Sequence, residues 1–228
     1  MKALLKRAVS RFYRRSSRVV RQGEFVTFTP EGFAAAKDPV ALMCRHYYEV
    51  KALKESLARL HELGVTPSQS LEIGCGFGRL SPYIAEFSDQ HFAVDINDWA
   101  LSKARQCYPR LCFQQASVTD LPFPDRSFDV IVTWTVLQHI PNHLINKALA
   151  EIIRVAKPKS IIVLCEATLY ATAPQSDDQH THDRLPEFYA EALSPRRLIF
   201  SEFITELDQI PGLASPGRIM LFGPSENS

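Results

Sequence analysis

Leu71-Glu72-Ile73-Gly74-Cys75-Gly76-Phe77-Gly78-Arg79-Leu80 is the stretch whose reading decides the fold. An apolar run leads into three glycines at alternate positions, and a second apolar segment follows from Leu80. That order predicts a strand over 70–74, a tight turn, and a helix over about 78–88. Glycine admits positive φ and lets a ligand lie against the backbone. A helix starting just past the turn would aim its unpaired N–H groups at the same space, which suits a carboxylate or phosphate. In an open α/β sheet, ligands bind at this end of the strands.

Working outward, strand signals recur at 91–95, 111–115, 128–134 and 160–166, with helical spacing at 98–107 and 142–156 between them. Continuous apolar strands alternating with helices indicate a mainly parallel sheet covered on both faces. Pro158 reads as the stop of the helix over 142–156. A further helix over 185–193 and two strands near 198–207 and 218–222 close the pattern. Ahead of it, Met43, Tyr47, Val50, Leu53, Leu57 and Leu60 recur at three and four, predicting a helix over 39–63 with Pro39 in its first turn and Gly64 past its end.

Asp95 falls at the end of the second strand, 21 residues after Gly74, where a carboxylate can accept both hydroxyls of a ribose. A dinucleotide would fit that as well, but its fingerprint needs a third glycine where Arg79 stands. Glu72, just before the turn, would repel a pyrophosphate and suits a ligand carrying an ammonium group and a sulfonium.

Four blocks in order, LEIGCGFGRL at 71–80, AVDIN at 93–97, SVTDLPFPDRSFDVIVTWTVLQHI at 117–140 and EIIRVAKPKSIIVLCEA at 151–167, make the chain resemble the class I S-adenosylmethionine-dependent methyltransferases, in particular their small-molecule and sugar O-methyltransferase branch. The resemblance covers roughly residues 68–168. It implies a Rossmann-like, seven-stranded, mostly parallel sheet with an antiparallel last strand. It implies S-adenosylmethionine as cofactor and S-adenosylhomocysteine as product. By the same resemblance Glu72, Gly74, Cys75, Gly76 and Gly78 line the methionine part, Asp95 takes the ribose, and Ile96, Ser117 and Val118 border the adenine. Thr133 and Trp134 face the methyl group. Ser117 stands where the family often has Asp, and Lys159 where it usually has Gly.

Methyl transfer is an in-line displacement in which the protein aligns donor and acceptor and excludes water. A hydroxyl acceptor also calls for a base, commonly histidine. Some sugar O-methyltransferases of the family carry two histidines and an acid where this chain has Gln138, His139 and Glu166. His139 is therefore the candidate base and Glu166 its partner, against the alternative that His139 only packs the loop. Tyr47, Tyr48, His180, His182 and Asp183 are candidate acceptor contacts. The His-x-His-Asp spacing has the donors for a divalent ion if His139 or Glu166 helped, but such a spacing in a polar loop is more often solvated, and no metal site is assigned. The acceptor is expected to be a small molecule or a saccharide. Methylation of nitrogen or carbon, and a non-catalytic cofactor-binding module, stay open as alternatives.

The remaining features bound the reading. With 26 Lys and Arg against 25 Asp and Glu, net charge is +1, which gives no general attraction to nucleic acid. Residues 1–23 nevertheless hold Lys2, Lys6, Arg7, Arg11, Arg14, Arg15, Arg18 and Arg21 with no acid. Leu4, Leu5, Ala8, Val9, Phe12 and Tyr13 at helical spacing would make a helix here basic on one face and apolar on the other. That suits an anionic membrane surface or nucleic acid, against the alternatives of a solvated arm or a helix docked on the core. Residues 24–38, with Pro30 and Gly32, read as a connecting segment. The division expected is a basic arm over 1–38 and a catalytic domain over 39–228 whose acceptor lid spans about 169–195. Five cysteines without a Cys-x-x-Cys pair point to free thiols, and the absence of a long apolar run to a cytoplasmic protein, at most peripheral to a membrane.

Overall fold

The computed structural model describes residues 19–22, 25–28, 39–168, 181–206 and 217–225. Its centre is a seven-stranded sheet built from β3 (Gln69–Ile73), β4 (Gln90–Asp95), β5 (Cys112–Gln115), β6 (Phe128–Trp134), β7 (Ala156–Glu166), β8 (Arg197–Phe203) and β9 (Arg218–Gly223). The spatial order is β5-β4-β3-β6-β7-β9-β8. The first five strands pair in parallel, and β9 runs antiparallel to both of its neighbours. The Rossmann-like mixed sheet expected from the sequence is therefore present, with the strand order reversing direction beside β3.

Alternation along the central strands assigns each face. Val130, Val132 and Trp134 of β6 and Ile161, Val163 and Cys165 of β7 join one buried cluster with Leu53, Leu57 and Leu60. Those leucines lie on α1 (Pro39–Glu62), and Leu80 and Ile84, at and beside α2 (Ser81–Ala85), pack in the same layer. Ile131, Ile162 and Leu164 point the other way, onto Ile145, Ala148, Leu149, Ile152 and Val155 of α4 (Ile145–Val155) and Tyr189 of α5 (Pro186–Ala192). The three- and four-residue spacing along α4 puts all five of its side chains on one stripe. Each fully buried aliphatic side chain contributes roughly 1.5–3 kcal/mol. A third cluster, Ala93, Leu101, Ala104 and Phe113, seats α3 (Asp98–Cys107), which Asn97 caps by accepting from Ala100 N at 3.2 Å.

Three local expectations change. The segment after the glycines enters its helix only at Ser81, and that helix is five residues long. Pro82 marks its first turn, and residues 74–80 form turns and bends between the strand and that helix. The helix over 142–156 ends at Val155, and the chain passes straight into β7, so that Pro158 sits inside a strand. It is accommodated where the register shifts between Phe128 opposite Ala156 and Val130 opposite Ile161. Finally, β1 (Val19–Gln22) pairs antiparallel with β2 (Phe25–Phe28), where the basic helix and the connecting segment were expected. β-Branched and aromatic residues on both sides of Gly23 favour that pairing. Residues 1–18 of the predicted helix lie outside the described residues.

Candidate active site

The glycine loop closes over the C-terminal ends of β3 and β4. Gly74 N and Cys75 N both donate to Val94 O, at 2.7 and 3.0 Å, and Gly76 N donates to Asp95 Oδ2 at 2.7 Å. Asn97 N donates to the second carboxylate oxygen of Asp95 at 2.8 Å. The Ile96 amide also reaches this carboxylate, so its two oxygens together keep lone-pair capacity for a further donor. Burial raises the Asp95 carboxyl above the usual range, against the lowering by the amides of Asn97 and Gly76. Gly74 has φ +75°, and a Cβ there would lie 2.3 Å from Val136 Cγ2, so the loop passes the segment after β6 at glycine distance. Gly76 has φ +53° and nothing within 4 Å of an added Cβ. That open space is the floor of a cleft of about 230 Å³.

Nine of the predicted cofactor residues line this cleft: Glu72, Gly74, Cys75, Gly76, Asp95, Ile96, Ser117, Val118 and Trp134. Glu72 is buried, accepts a hydrogen bond from Ser81 Oγ, and lies 3.7 Å from His91 Nε2. Ser117 Oγ is 2.8 Å from Thr119 Oγ1. Burial and the nearby carboxylates of Glu72 and Asp95 push the Cys75 thiol far up, so it stays neutral filler. Gly78 and Thr133 are not among the lining residues. Gly78 instead admits Phe113, whose ring would stand 2.9 Å from an added Cβ. Thr133 is fully buried and donates to Glu166 Oε1 at 2.8 Å.

His139 lines the same cleft, on a 3-10 turn over Leu137–His139 just past β6. Thr135, before that turn, has φ +57°, a left-handed conformation that a β-branched residue adopts at a cost on the order of 1–3 kcal/mol. It is held by Thr135 N to Cys165 O at 2.6 Å and by its hydroxyl to Trp134 O at 2.7 Å. Glu166, with no exposed surface, also accepts from Val136 N at 3.3 Å and Gln138 N at 3.1 Å. Burial raises its carboxyl to about 7 despite those donors. Glu166 therefore fastens Thr133, Val136 and Gln138, the residues that lead into His139.

Several partners of the site carried no sequence signal. Arg184 is buried and donates to Leu137 O at 2.8 Å, Ile140 O at 2.7 Å and Asn142 Oδ1 at 2.8 Å. His182 N donates to Gln138 O at 2.6 Å. Residues 181–184 of the expected lid are thus strapped onto the histidine-bearing turn, although neither His182 nor Asp183 lines the cleft. His180 lies outside the described residues. Arg79 lines the cleft and reaches α1, where its guanidinium pairs with buried Glu49, itself held by Arg45 Nε at 2.7 Å. Tyr47 is exposed and Tyr48 half-buried on the same helix, their rings edge to face at 5.2 Å, and neither lines the cleft.

Strand order, glycine loop and cleft define a Rossmann-like methyltransferase fold. A family model described as a methyltransferase domain matches residues 71–164. A probable S-adenosylmethionine-dependent methyltransferase of Mycobacterium tuberculosis is 40% identical over 75 residues, 33% of this chain and 27% of that protein. A sterol 24-C-methyltransferase of Aspergillus fumigatus is 24% identical over 189 residues, 74% of this chain and 49% of that protein. The chain spans about a quarter to a half of the length of these curated relatives. Among solved structures, a chain of the complex between the Haloferax volcanii Trm112 methyltransferase activator and a provisionally assigned methyltransferase aligns with TM-score 0.66 at 18% identity, over 90% of this chain and 99% of that one. These likenesses are to S-adenosylmethionine-dependent methyltransferases, whose cofactor is S-adenosylmethionine. The cleft suits that cofactor: a side-chain-free floor at Gly76, a carboxylate with spare acceptor capacity at Asp95, and apolar walls at Ile96, Val118 and Ile140.

Proposed function

We propose that the protein transfers a methyl group from S-adenosylmethionine to an oxygen of a small molecule or saccharide, with His139 as the base. The observation that supports this most directly is that His139 lines the same cleft as Glu72, Gly76 and Asp95. Bound there, S-adenosylmethionine supplies a methyl on a positively charged sulfur, open to in-line displacement. Asp95 accepts the ribose hydroxyls, Ile96, Ser117 and Val118 hold the adenine, and Glu72 meets the ammonium group beside the glycine loop. Trp134 and the strained Thr135 form the wall near the methyl group. His139 takes the proton of the acceptor hydroxyl as the oxygen–carbon bond forms. Glu166 acts on His139 as a positioning residue, through the amides of Val136 and Gln138.

Transfer to carbon or nitrogen is the second reading, favoured by the likeness to a sterol 24-C-methyltransferase. Acceptor classes screened with radiolabelled S-adenosylmethionine, followed by His139→Ala on the best acceptor, separate the two. Loss of about 10²-fold or more in turnover, with S-adenosylhomocysteine affinity retained, supports the base. Unchanged turnover removes it, and cofactor binding with no transfer to any acceptor class removes the enzymatic reading.

A further inference from the structure

Gln138 is buried and tied down at every polar group it has. Its backbone N–H goes to Glu166 Oε2 at 3.1 Å and its backbone carbonyl accepts from His182 N at 2.6 Å. Its side-chain Oε1 accepts from Ala167 N at 2.7 Å. The last bond settles which way the amide faces, because a backbone N–H can only donate and so requires the amide oxygen opposite it. The NH₂ group is thereby left pointing at the ring of His139, with Gln138 Nε2 3.3 Å from His139 Nε2. An amide NH₂ has donors and no acceptor. Two N–H groups cannot share this contact, so the ring nitrogen facing it must carry its lone pair.

We infer that Gln138 is a positioning residue that fixes His139 in the Nδ1–H tautomer, leaving Nε2 as the nitrogen able to take a proton. For the base role proposed above, on which its catalytic meaning rests, this names the atom. Because an Nε2–H cannot face the amide NH₂, the acceptor O–H proton passes to Nε2 only as the hydroxyl displaces the Gln138 NH₂ from that lone pair and the ring swings off it. The oxygen takes the methyl, the carbon–sulfur bond breaks with its electron pair left on sulfur, and the ring becomes imidazolium. At 3.3 Å the Gln138 contact is long for a hydrogen bond, so an acceptor hydroxyl competes with it readily for the Nε2 lone pair. The device also gives a route from the acid to the base through Gln138. Glu166 holds the Gln138 backbone, and the Gln138 side chain sets the ring.

The substitution that isolates this effect is Gln138→Glu. A glutamate keeps the shape and still accepts from Ala167 N, but it presents an acceptor to the ring where glutamine presents a donor. Nitrogen NMR of the full chain with isotopically labelled histidine, bound to S-adenosylhomocysteine, reads which ring nitrogen is protonated. His139 is expected to be protonated at Nδ1 in the natural chain and at Nε2 in Q138E. In Q138L, which offers neither donor nor acceptor, the preference for Nδ1 is expected to be lost. A natural chain protonated at Nε2 overturns the inference, as does an Nδ1–H state that survives in both variants. The NMR result does not depend on turnover. A tautomer that switches as expected, alongside an H139A variant of undiminished turnover, would leave Gln138 as the setter of the ring and discard the base.

Discussion

Alanine at Gly74 tests how the cofactor loop is held, because two separate penalties meet there and one can be removed. The backbone at φ +75° costs an alanine about 1–2 kcal/mol. Its Cβ would stand 2.3 Å from Val136 Cγ2 and 3.0 Å from Cγ1, where ordinary carbon contacts lie at about 3.5–4.0 Å. Relieving that overlap costs about 1–3 kcal/mol more, the usual penalty of overpacking. Gly74→Ala alone is therefore expected to destabilise by about 2–5 kcal/mol. Val136→Ala removes both γ carbons and leaves only its own Cβ, at 3.2 Å, so in the double variant most of the overlap is gone and the backbone penalty dominates. The coupling energy from urea denaturation of the four chains should be about 1–3 kcal/mol, in the sense that the two substitutions relieve each other. Gly76→Ala is the control: with nothing within 4 Å, it carries only the backbone penalty in stability. Its Cβ nonetheless occupies the cleft floor, and calorimetric titration should find S-adenosylhomocysteine binding weakened beyond what that penalty explains. A Gly74–Val136 coupling within about 0.5 kcal/mol of zero would refute the steric account. Unchanged affinity in Gly76→Ala would refute the floor.

Two further outcomes follow from features elsewhere in the molecule. The Glu166 carboxyl titrates near 7 when folded against 4.5 ordinarily, so between those values the folded state holds a proton that the unfolded chain has released. Stability from this group is full below about 4.5 and falls as pH rises to about 7, by on the order of 3 kcal/mol. Glu166→Gln should flatten that slope in denaturation curves taken across the window, and parallel slopes for both chains would count against the assignment. The basic run over 1–23, together with Val40, Met43 and Tyr47 exposed near the start of α1, is expected to carry the chain up with anionic liposomes in a flotation assay. Equal recovery of a chain starting at Gly23 would remove that role.

The sheet was legible in the sequence because both of its faces are covered. β6 and β7 had to be apolar through their centres, Val130–Val132 and Ile161–Cys165, and Phe128–Trp134 was bounded correctly at both ends. The donor half of the cleft was legible for a related reason: its parts, the glycines, Asp95 and Ser117–Val118, sit at strand ends where spacing along the chain fixes position. The contacts around the acceptor side left no such trace. Arg184 reads as one more charge in a polar stretch, and only folding places it beneath the carbonyls of Leu137 and Ile140. Glu49 and Arg79 are 30 residues apart and belong to no shared period. The Nδ1–H assignment at His139 depends on the backbone of Ala167, which no side-chain motif can register.

The place of β9 in the sheet also sets a timetable. β8 is made before β9 yet stands at the sheet edge with only β9 beside it, so it has no strand to join until residues 218–223 have been synthesised. At roughly 5–20 residues per second on a ribosome, the parallel part from β3 to β7 can assemble first, carrying the glycine loop and Asp95. The final strand then slides in between β7 and β8 and sets Arg218 opposite Glu166. A nascent chain would thus acquire its glycine loop and Asp95 before the sheet beyond β7 is complete, and a ligand seated there would stabilise the half-built sheet while it waits.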